Sequence, residues 1–309
     1  MRDVPRLREH VVVTGAAGFV GRHVVAELLA AGHPVAGLDR RAWYALPGER
    51  AVVTDLLAPA ALPVLGRAAA VVHLAGCPGV RDARPDAGRW RWRDNVLATQ
   101  AVLDATARDV PLLVASSSSV YGGAGSPAEP RACHEDDPRR PRGGYARSKA
   151  AMEDLCAAAR ARGRRVGVLR PFTVAGEGQR PDMAVSRWLD DVRSGRPVRV
   201  HGSLERRRDV TDVRDVARVV RRALDVDLDG VCNVGTGTTH RLGDLVDAVA
   251  AAVGRPADVR VVAAGDEEVP ATRADTRRVR RLLGVVPTTD LHDLVARQAA
   301  AGGALAAAG

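Results

Sequence analysis

Of the 46 residues that are lysine or arginine, only one, Lys149, is lysine, and it lies four positions after Tyr145, one of three tyrosines. On a helix, positions i and i+4 share a face, so Tyr145-Ala-Arg-Ser-Lys149 aims a phenol and an ammonium into one place. Arginine could replace lysine as a solvated cation, but not as a compact charge with three rotatable donors and a tunable pKa. Such a cation favours the phenolate of Tyr145, which can take a proton from a substrate hydroxyl. Upstream, the serine run Ser116 to Ser119 follows an apolar stretch, and Ser117 could hydrogen-bond the same substrate oxygen. A surface Tyr/Lys pair beside a polar strand end is the bland alternative, and the surrounding elements decide between the two.

Those elements are legible. His10-Val-Val-Val-Thr-Gly15 is an apolar run ending in glycine, as a buried parallel strand would be. Gly15-Ala-Ala-Gly18-Phe-Val-Gly21 follows, then an amphipathic segment from Arg22 to Ala31. Strand, glycine turn and helix form a cradle in which a pyrophosphate can approach the backbone at a helix N-terminus, although the spacing is GxxGxxG. A second strand, Pro34 to Asp39, ends in an acid placed to accept hydrogen bonds from an adenosine ribose, which favours NAD over NADP. Arg40 and Arg41 follow and could receive a 2′-phosphate. Ala51 to Asp55 reads as a third strand, with Asp55 either meeting the adenine amine or capping a helix.

Further strands are expected at Ala69–Gly76, Val110–Ala115 and Arg165–Pro171, with helices at Asn95–Arg108 and Tyr145–Arg162. This alternation predicts an α/β fold, a doubly wound parallel (Rossmann) sheet with ligands at the carboxyl ends of its strands. Those ends gather Ala75, Ser117 and Pro171, with Tyr145 and Lys149 on the following helix. Beyond Pro171 the pattern loosens into helices at Arg187–Ser194, Arg214–Leu224 and Leu242–Val253 and strands at Val198–His201 and Val231–Gly235. The expected division is a dinucleotide-binding domain of residues 1–172 plus about 208–238, and a smaller, discontinuous C-terminal substrate lobe of about 173–207 plus 239–309.

The 309 residues are 46% hydrophobic but only 3% aromatic, so the core must be built from Val, Leu and Ala. The net charge of +9 comes from arginines dispersed among 37 acids, a pattern that suits an anionic small substrate better than nucleic acid. No apolar run has membrane-spanning length and no signal peptide is evident. Cys77, Cys133, Cys156 and Cys232 form no CxxC pair, so neither metal nor disulfide is expected, and a reduced cytoplasmic protein is.

The motifs taken together resemble the extended short-chain dehydrogenase/reductases of the NAD-dependent nucleotide-sugar epimerase/dehydratase family. The resemblance runs from Val11 to about Leu294 and rests on Thr14 to Gly21, Asp55-Leu56, His73-Leu-Ala75, Asn95, Ser116 to Gly122, Tyr145 to Lys149, Arg170-Pro171, Arg208 to Val213, Asn233-Val-Gly235 and Ala274-Asp275. It implies catalysis by Ser117, Tyr145 and Lys149. It implies NAD bound by Gly15, Gly18, Phe19, Val20, Gly21, Asp39, Arg40, Asp55, Leu56, Leu74, Ala75, Gly76, Asn95, Tyr145, Lys149 and Pro171. Family dehydratases carry an Asp-Glu pair directly after the catalytic Ser or Thr, where Ser118 and Ser119 stand here, so dehydration is disfavoured.

Gly79-Val-Arg81, Arg170-Pro-Phe-Thr173 and Gln179 to Met183 resemble UDP-glucuronate 4-epimerases in particular. That implies conversion of UDP-glucuronate to UDP-galacturonate through a transient 4-keto sugar, with hydroxyls of Ser117, Ser118, Ser119 and Thr173 around the C5 carboxylate. It also implies substrate contacts from Arg81, Arg180, Arg187, Val200, His201, Arg273 and Arg208, the last as the diphosphate arginine. Ala175, Glu177, Ala98 and Gly76 depart from the family pattern, as does the missing arginine near Gly265, leaving UDP and dTDP both open. An NDP-hexose 4-ketoreductase, a neutral-sugar 4-epimerase and a non-catalytic NAD(P)-binding sensor are the competing readings. The resemblance further implies a homodimer through the helices near Asn95–Arg108 and Tyr145–Arg162.

Overall fold

The computed structural model describes residues 10–79 and 85–307. Its first half alternates as the apolar runs predict: β1 (His10–Thr14), α1 (Phe19–Ala30), β2 (Val35–Asp39), β3 (Glu49–Val53), a single turn α2 (Leu62–Leu65), β4 (Ala68–His73), α3 (Ala87–Trp92), a π-type turn at Arg93–Leu97, α4 (Ala98–Ala105), β5 (Leu112–Ala115), α5 (Gly143–Ala161) and β6 (Val166–Pro171). The second half carries β7 (Thr173–Ala175), α6 (Ala184–Arg193), β8 (Val198–His201), β9 (Arg207–Arg208), β10 (Val210–Asp212), α7 (Val213–Asp225), β11 (Gly230–Val234), β12 (His240–Arg241), α8 (Leu242–Val253), β13 (Val259–Val262), α9 (Arg277–Leu283) and α10 (Leu291–Ala307).

Two units result. One comprises the described residues up to Val120 with Gly143–Arg170 and Ala217–Cys232; the other comprises Tyr121–Arg142, Pro171–Val216 and the described residues from Asn233 onward. In the first, seven strands form one sheet in the order β11-β6-β5-β4-β1-β2-β3, with parallel registers from β3 across to β6. Strands covered on both faces carry unbroken apolar runs, as Val11-Val-Val13 and Leu112-Leu-Val114 do. The core packs Val12, Leu38, Val71, Val114 and Val168 of the sheet with Val102 of α4 and Met152 and Cys156 of α5. Strand order reverses between β1 and β4, the switch point outside whose carboxyl ends a doubly wound sheet takes its ligands.

The boundaries shift where local chemistry outweighs the apolar pattern. α1 starts at Phe19, three residues before the expected Arg22, because Gly18 already has the extended backbone of a cap. β3 ends at Val53, so Asp55 lies in the following turn and not at a strand end. The helical segment before β5 begins at Ala87, well ahead of Asn95, and is interrupted by the π-type turn, whose extra residue breaks the 3.6-residue period.

The second unit holds three two-stranded pairings: β7 with β10 and β8 with β13, both parallel, and β9 with β12, antiparallel. Its core joins Trp188, Leu189 and Val192 of α6, Leu245 and Val249 of α8 and Leu294 and Val295 of α10. Among the described residues, no helix is long and apolar enough to cross a membrane.

Candidate active site

The glycine turn between β1 and α1 is packed to the limit of backbone contact. Gly15 has φ +73°, and a Cβ there would lie 2.7 Å from the Ala75 nitrogen, at the end of the neighbouring β4 segment. A Cβ on Gly18 would lie 2.9 Å from the Gly15 carbonyl oxygen, and one on Gly21 only 2.1 Å from it. Only glycine fits at all three positions, whatever the spacing between them. Gly18 supplies no side-chain cap, so the leading N–H groups of α1, from Phe19 and Val20 onward, are left to an incoming anion. Asp39, at the end of β2, braces the turn by accepting the Ala17 N–H at 3.2 Å and the Arg41 N–H at 3.0 Å. A dinucleotide fits this cradle: a backbone-lined turn for the pyrophosphate and a carboxylate one strand away for the ribose.

Beyond the turn, Thr14, His73, Thr99 and Asn95 form a buried relay. Thr14 Oγ1 accepts the Ala75 N–H at 3.2 Å, and Thr99 donates to the Asn95 carbonyl at 2.8 Å. Thr99 has only one hydroxyl proton, so the His73 ring must donate to it from Nε2 (3.0 Å) and accept from Thr14 at Nδ1 (2.7 Å). Burial, helped by the charge on Lys149, pushes the His73 pKa down to about 3, consistent with that neutral ring.

Asn95 is itself buried. Its amide accepts the Cys77 N–H at 2.9 Å and donates to the Cys77 carbonyl at 3.1 Å and to Ser148 Oγ at 2.9 Å. Ser148 donates in turn to the Tyr145 carbonyl at 2.8 Å. Through these bonds Asn95, one of the expected cofactor-site residues, also sets α5 against the π-type turn. Gly76, a departure from the family pattern, gains a reason here: a Cβ would sit 2.5 Å from Asn95 Oδ1 and 3.6 Å from Lys149 Nζ.

Tyr145 and Lys149 stand on the first two turns of α5. Lys149 is buried and donates from Nζ to the Ala115 carbonyl, the last residue of β5, at 2.8 Å. Burial lowers its pKa to about 8, with the Glu153 charge acting the other way. Ser117 lies two residues beyond β5, and its Oγ accepts the Ser119 N–H at 3.2 Å, opening the 3₁₀ turn Ser118–Tyr121. Ser119 Oγ is buried with no hydrogen-bond partner among the described residues. A buried hydroxyl in that condition is costly unless something else meets it.

Sequence reasoning missed what lies beneath the pair. Glu153, one further turn along α5, accepts the Ser116 hydroxyl at 2.5 Å and holds Arg170 of β6 through two bonds, Nε at 2.9 Å and Nη2 at 2.6 Å. All three residues are about 95% or more buried. The forked pair ties the ends of β5 and β6 to α5. Its signal was present as an acid four residues after Lys149, but an i+4 acid more often marks a solvated helix face.

The remaining expected residues fall as follows. Leu56, Leu74 and Ala75 are half-buried in the first unit; Asp55 accepts the Leu57 N–H at 2.9 Å and pairs with Arg93 at 2.7 Å. Pro171, Thr173, Arg180, Arg187, Val200, His201, Arg208 and Arg273 belong to the second unit. There, Arg180 pairs with Asp182 at 2.8 Å, Arg187 is exposed on α6, and Val200 is fully buried in the core, so its side chain is spent on packing. Arg208 donates to the Arg207 carbonyl at 2.8 Å and lies 3.5 Å from Glu268, while exposed Arg273 donates to the Gly237 carbonyl at 2.9 Å. Glu177, another departure, joins Arg297 and Arg214 in an ion network that also takes in Asp212. Arg81 lies outside the described residues.

Comparison with known proteins agrees with this geometry. The model of the NAD dependent epimerase/dehydratase family matches residues 11–235. A probable UDP-glucuronate 4-epimerase of Rhizobium meliloti (strain 1021) is 29% identical over 93% of this chain and 94% of its own length. A GDP-6-deoxy-D-mannose reductase of Pseudomonas aeruginosa is 34% identical over 89% of this chain and 88% of its own. The solved structure of MoeE5 in complex with UDP-glucuronic acid and NAD superposes with TM-score 0.87 at 37% identity, covering 96% of this chain and 99% of that one. A glycine cradle that fits a dinucleotide, a buried lysine one helical turn from a tyrosine, and these matches together place the chain in the NAD dependent epimerase/dehydratase family, as an NAD-dependent enzyme acting on nucleotide sugars.

Proposed function

We propose that the enzyme inverts C4 of a nucleotide-linked hexuronate, with UDP-glucuronate and UDP-galacturonate as the interconverted pair. The observation that carries this reading is the set around α5: a buried ammonium at Lys149, a tyrosine one turn before it, and the hydroxyls of Ser117, Ser118 and Ser119 after β5, where no acidic residue stands. Tyr145 takes the C4 hydroxyl proton and later returns it; Lys149 supports the phenolate by its charge; Ser117 donates to the same oxygen. The glycine turn Gly15–Gly21 and Asp39 would hold NAD, which would supply reversible hydride transfer at C4 with no net consumption of cofactor. Ser118 and Ser119 offer neither acid nor base for loss of water, and the partnerless Ser119 hydroxyl suits a sugar carboxylate. In the second unit, Arg208 is the proposed diphosphate contact.

The names of the Rhizobium relative and of the MoeE5 complex support a uronate substrate. The Pseudomonas relative favours a second reading, reduction of a 4-keto sugar. Incubating the purified protein with a panel of UDP-, dTDP- and GDP-sugars and uronates, then separating the products, distinguishes them. The proposal expects UDP-galacturonate from UDP-glucuronate without added cofactor; stoichiometric consumption of NADH or NADPH with a keto-sugar would establish the second reading instead. Tyr145→Phe should lower the rate about 10²–10⁴-fold with the fold intact. We also propose a homodimer through the α3–α4 segment, where Trp92 and Leu97 are 52% and 46% exposed in a chain with few aromatics; light scattering after gel filtration tests it.

A further inference from the structure

Two arginines follow Asp39, at the place where a ribose 2′-phosphate would be received. Both are already engaged by acids. Arg41 folds back on its neighbour, with Nε 3.6 Å from Asp39 Oδ1 and Nη2 donating to the Ala17 carbonyl at 3.3 Å. Arg40 reaches across to the π-type turn, where its Nη1 lies 3.0 Å from Asp94 Oδ2. The other Asp94 oxygen accepts Arg93 Nη1 at 2.7 Å, and Arg93 Nη2 continues to Asp55 Oδ2 at 2.7 Å. The result is a chain of alternating charge, Arg40–Asp94–Arg93–Asp55, that is neutral as a whole. Its members differ in mobility: the Asp94 side chain is 9% exposed and fixed from two sides, whereas Arg40 is 51% exposed and held from one.

We propose that Asp94 makes this enzyme selective for NAD over NADP by holding Arg40 in an ion pair that a 2′-phosphate would have to break. The carboxylate opposes NADP twice. It occupies Arg40, the arginine directly after Asp39, while Arg41 is turned back on Asp39 and the Ala17 carbonyl, and it adds its own negative charge to that of Asp39. An NAD ribose carries no phosphate and meets only Asp39, so the pair costs NAD nothing. The inference uses residues of the first unit alone and does not depend on which sugar is converted.

The test is titration calorimetry of NAD⁺ and NADP⁺ on the full chain stripped of nucleotide, comparing wild type, Asp94→Asn, Arg40→Ala and the double variant. Asparagine keeps the shape and an oxygen for Arg93 while removing the charge. Asp94→Asn should tighten NADP⁺ about tenfold and move NAD⁺ by less than about threefold, as expected for releasing one half-exposed cation and removing one like charge. The gain should vanish in the double variant, since Arg40 is the group released. A ratio of the two dissociation constants unchanged within about twofold in Asp94→Asn would overturn the proposal, and so would a gain that survives loss of Arg40. Asp94→Ser also removes the carboxylate and gives the same readout should Asp94→Asn fail to fold.

Discussion

Lysine labelling of this protein marks one side chain, because Lys149 is the only lysine in the chain. With ¹³C-lysine incorporated, the Cε shift followed against pH reports the ammonium of Lys149 without any assignment problem. Its Nζ is buried and has the Ala115 carbonyl at 2.8 Å, and the Glu153 carboxylate one turn on offsets only part of the loss of water. The midpoint should therefore fall at about 8, against 10.5 for an ordinary lysine. That difference means that the fold disfavours the charged form by roughly 3 kcal/mol. The sign has two consequences. Between pH 8 and 10.5 the unfolded chain binds more protons at this site than the native one, so the Lys149 contribution to stability rises with pH across that window. Catalysis moves the other way: if the cation supports the Tyr145 phenolate, turnover should decline above pH 8 with loss of a single proton. Glu153→Gln should lower the midpoint further, because it removes the one nearby carboxylate that favours the cation. A midpoint at or above 10 would refute the argument, since it would mean that Nζ keeps its water.

Glu153→Gln should also cost about 3–5 kcal/mol in denaturant unfolding, because it strands the Arg170 charge in the core. Replacing both partners, as Glu153→Leu with Arg170→Met, should recover most of that loss while raising KM or lowering kcat through the displaced end of β5. Gly21→Ala should abolish NAD⁺ binding or folding, as its Cβ would press within 2.1 Å of the Gly15 carbonyl; calorimetry together with circular dichroism separates the two outcomes. Asp209→Ala should destabilise the second unit by about 2–4 kcal/mol, since several buried donors lose their acceptor at once. Those donors are the N–H groups of Thr236, Gly237 and Ala274 and the Thr236 hydroxyl, each 2.8–2.9 Å from the Asp209 carboxylate, and thermal unfolding reads the loss.

The local chain determined a good deal. Apolar runs of four to six residues ending in Gly, Asp or Ser carried the parallel strands, because a strand covered on both faces leaves no polar alternation to read. The i, i+4 spacing placed Tyr145 and Lys149 on one helical segment, and α8 came out at Leu242–Val253 as its periodicity predicts. Glycine positions announced the nucleotide turn because steric exclusion of Cβ is a property of single residues. What the sequence could not disclose depends on partners far apart along the chain. Arg40 reads as a phosphate receptor until Asp94, 54 residues on, is seen to hold it. The bracing of Cys77 and Ser148 by the Asn95 amide is invisible until the fold brings them together, and Arg170 reads as a motif letter until Glu153 is found beside it in the core. Burial decides the rest: the lone lysine is a chemical group with a pKa near 8 only because the fold takes water from it, and no spacing of letters encodes that loss.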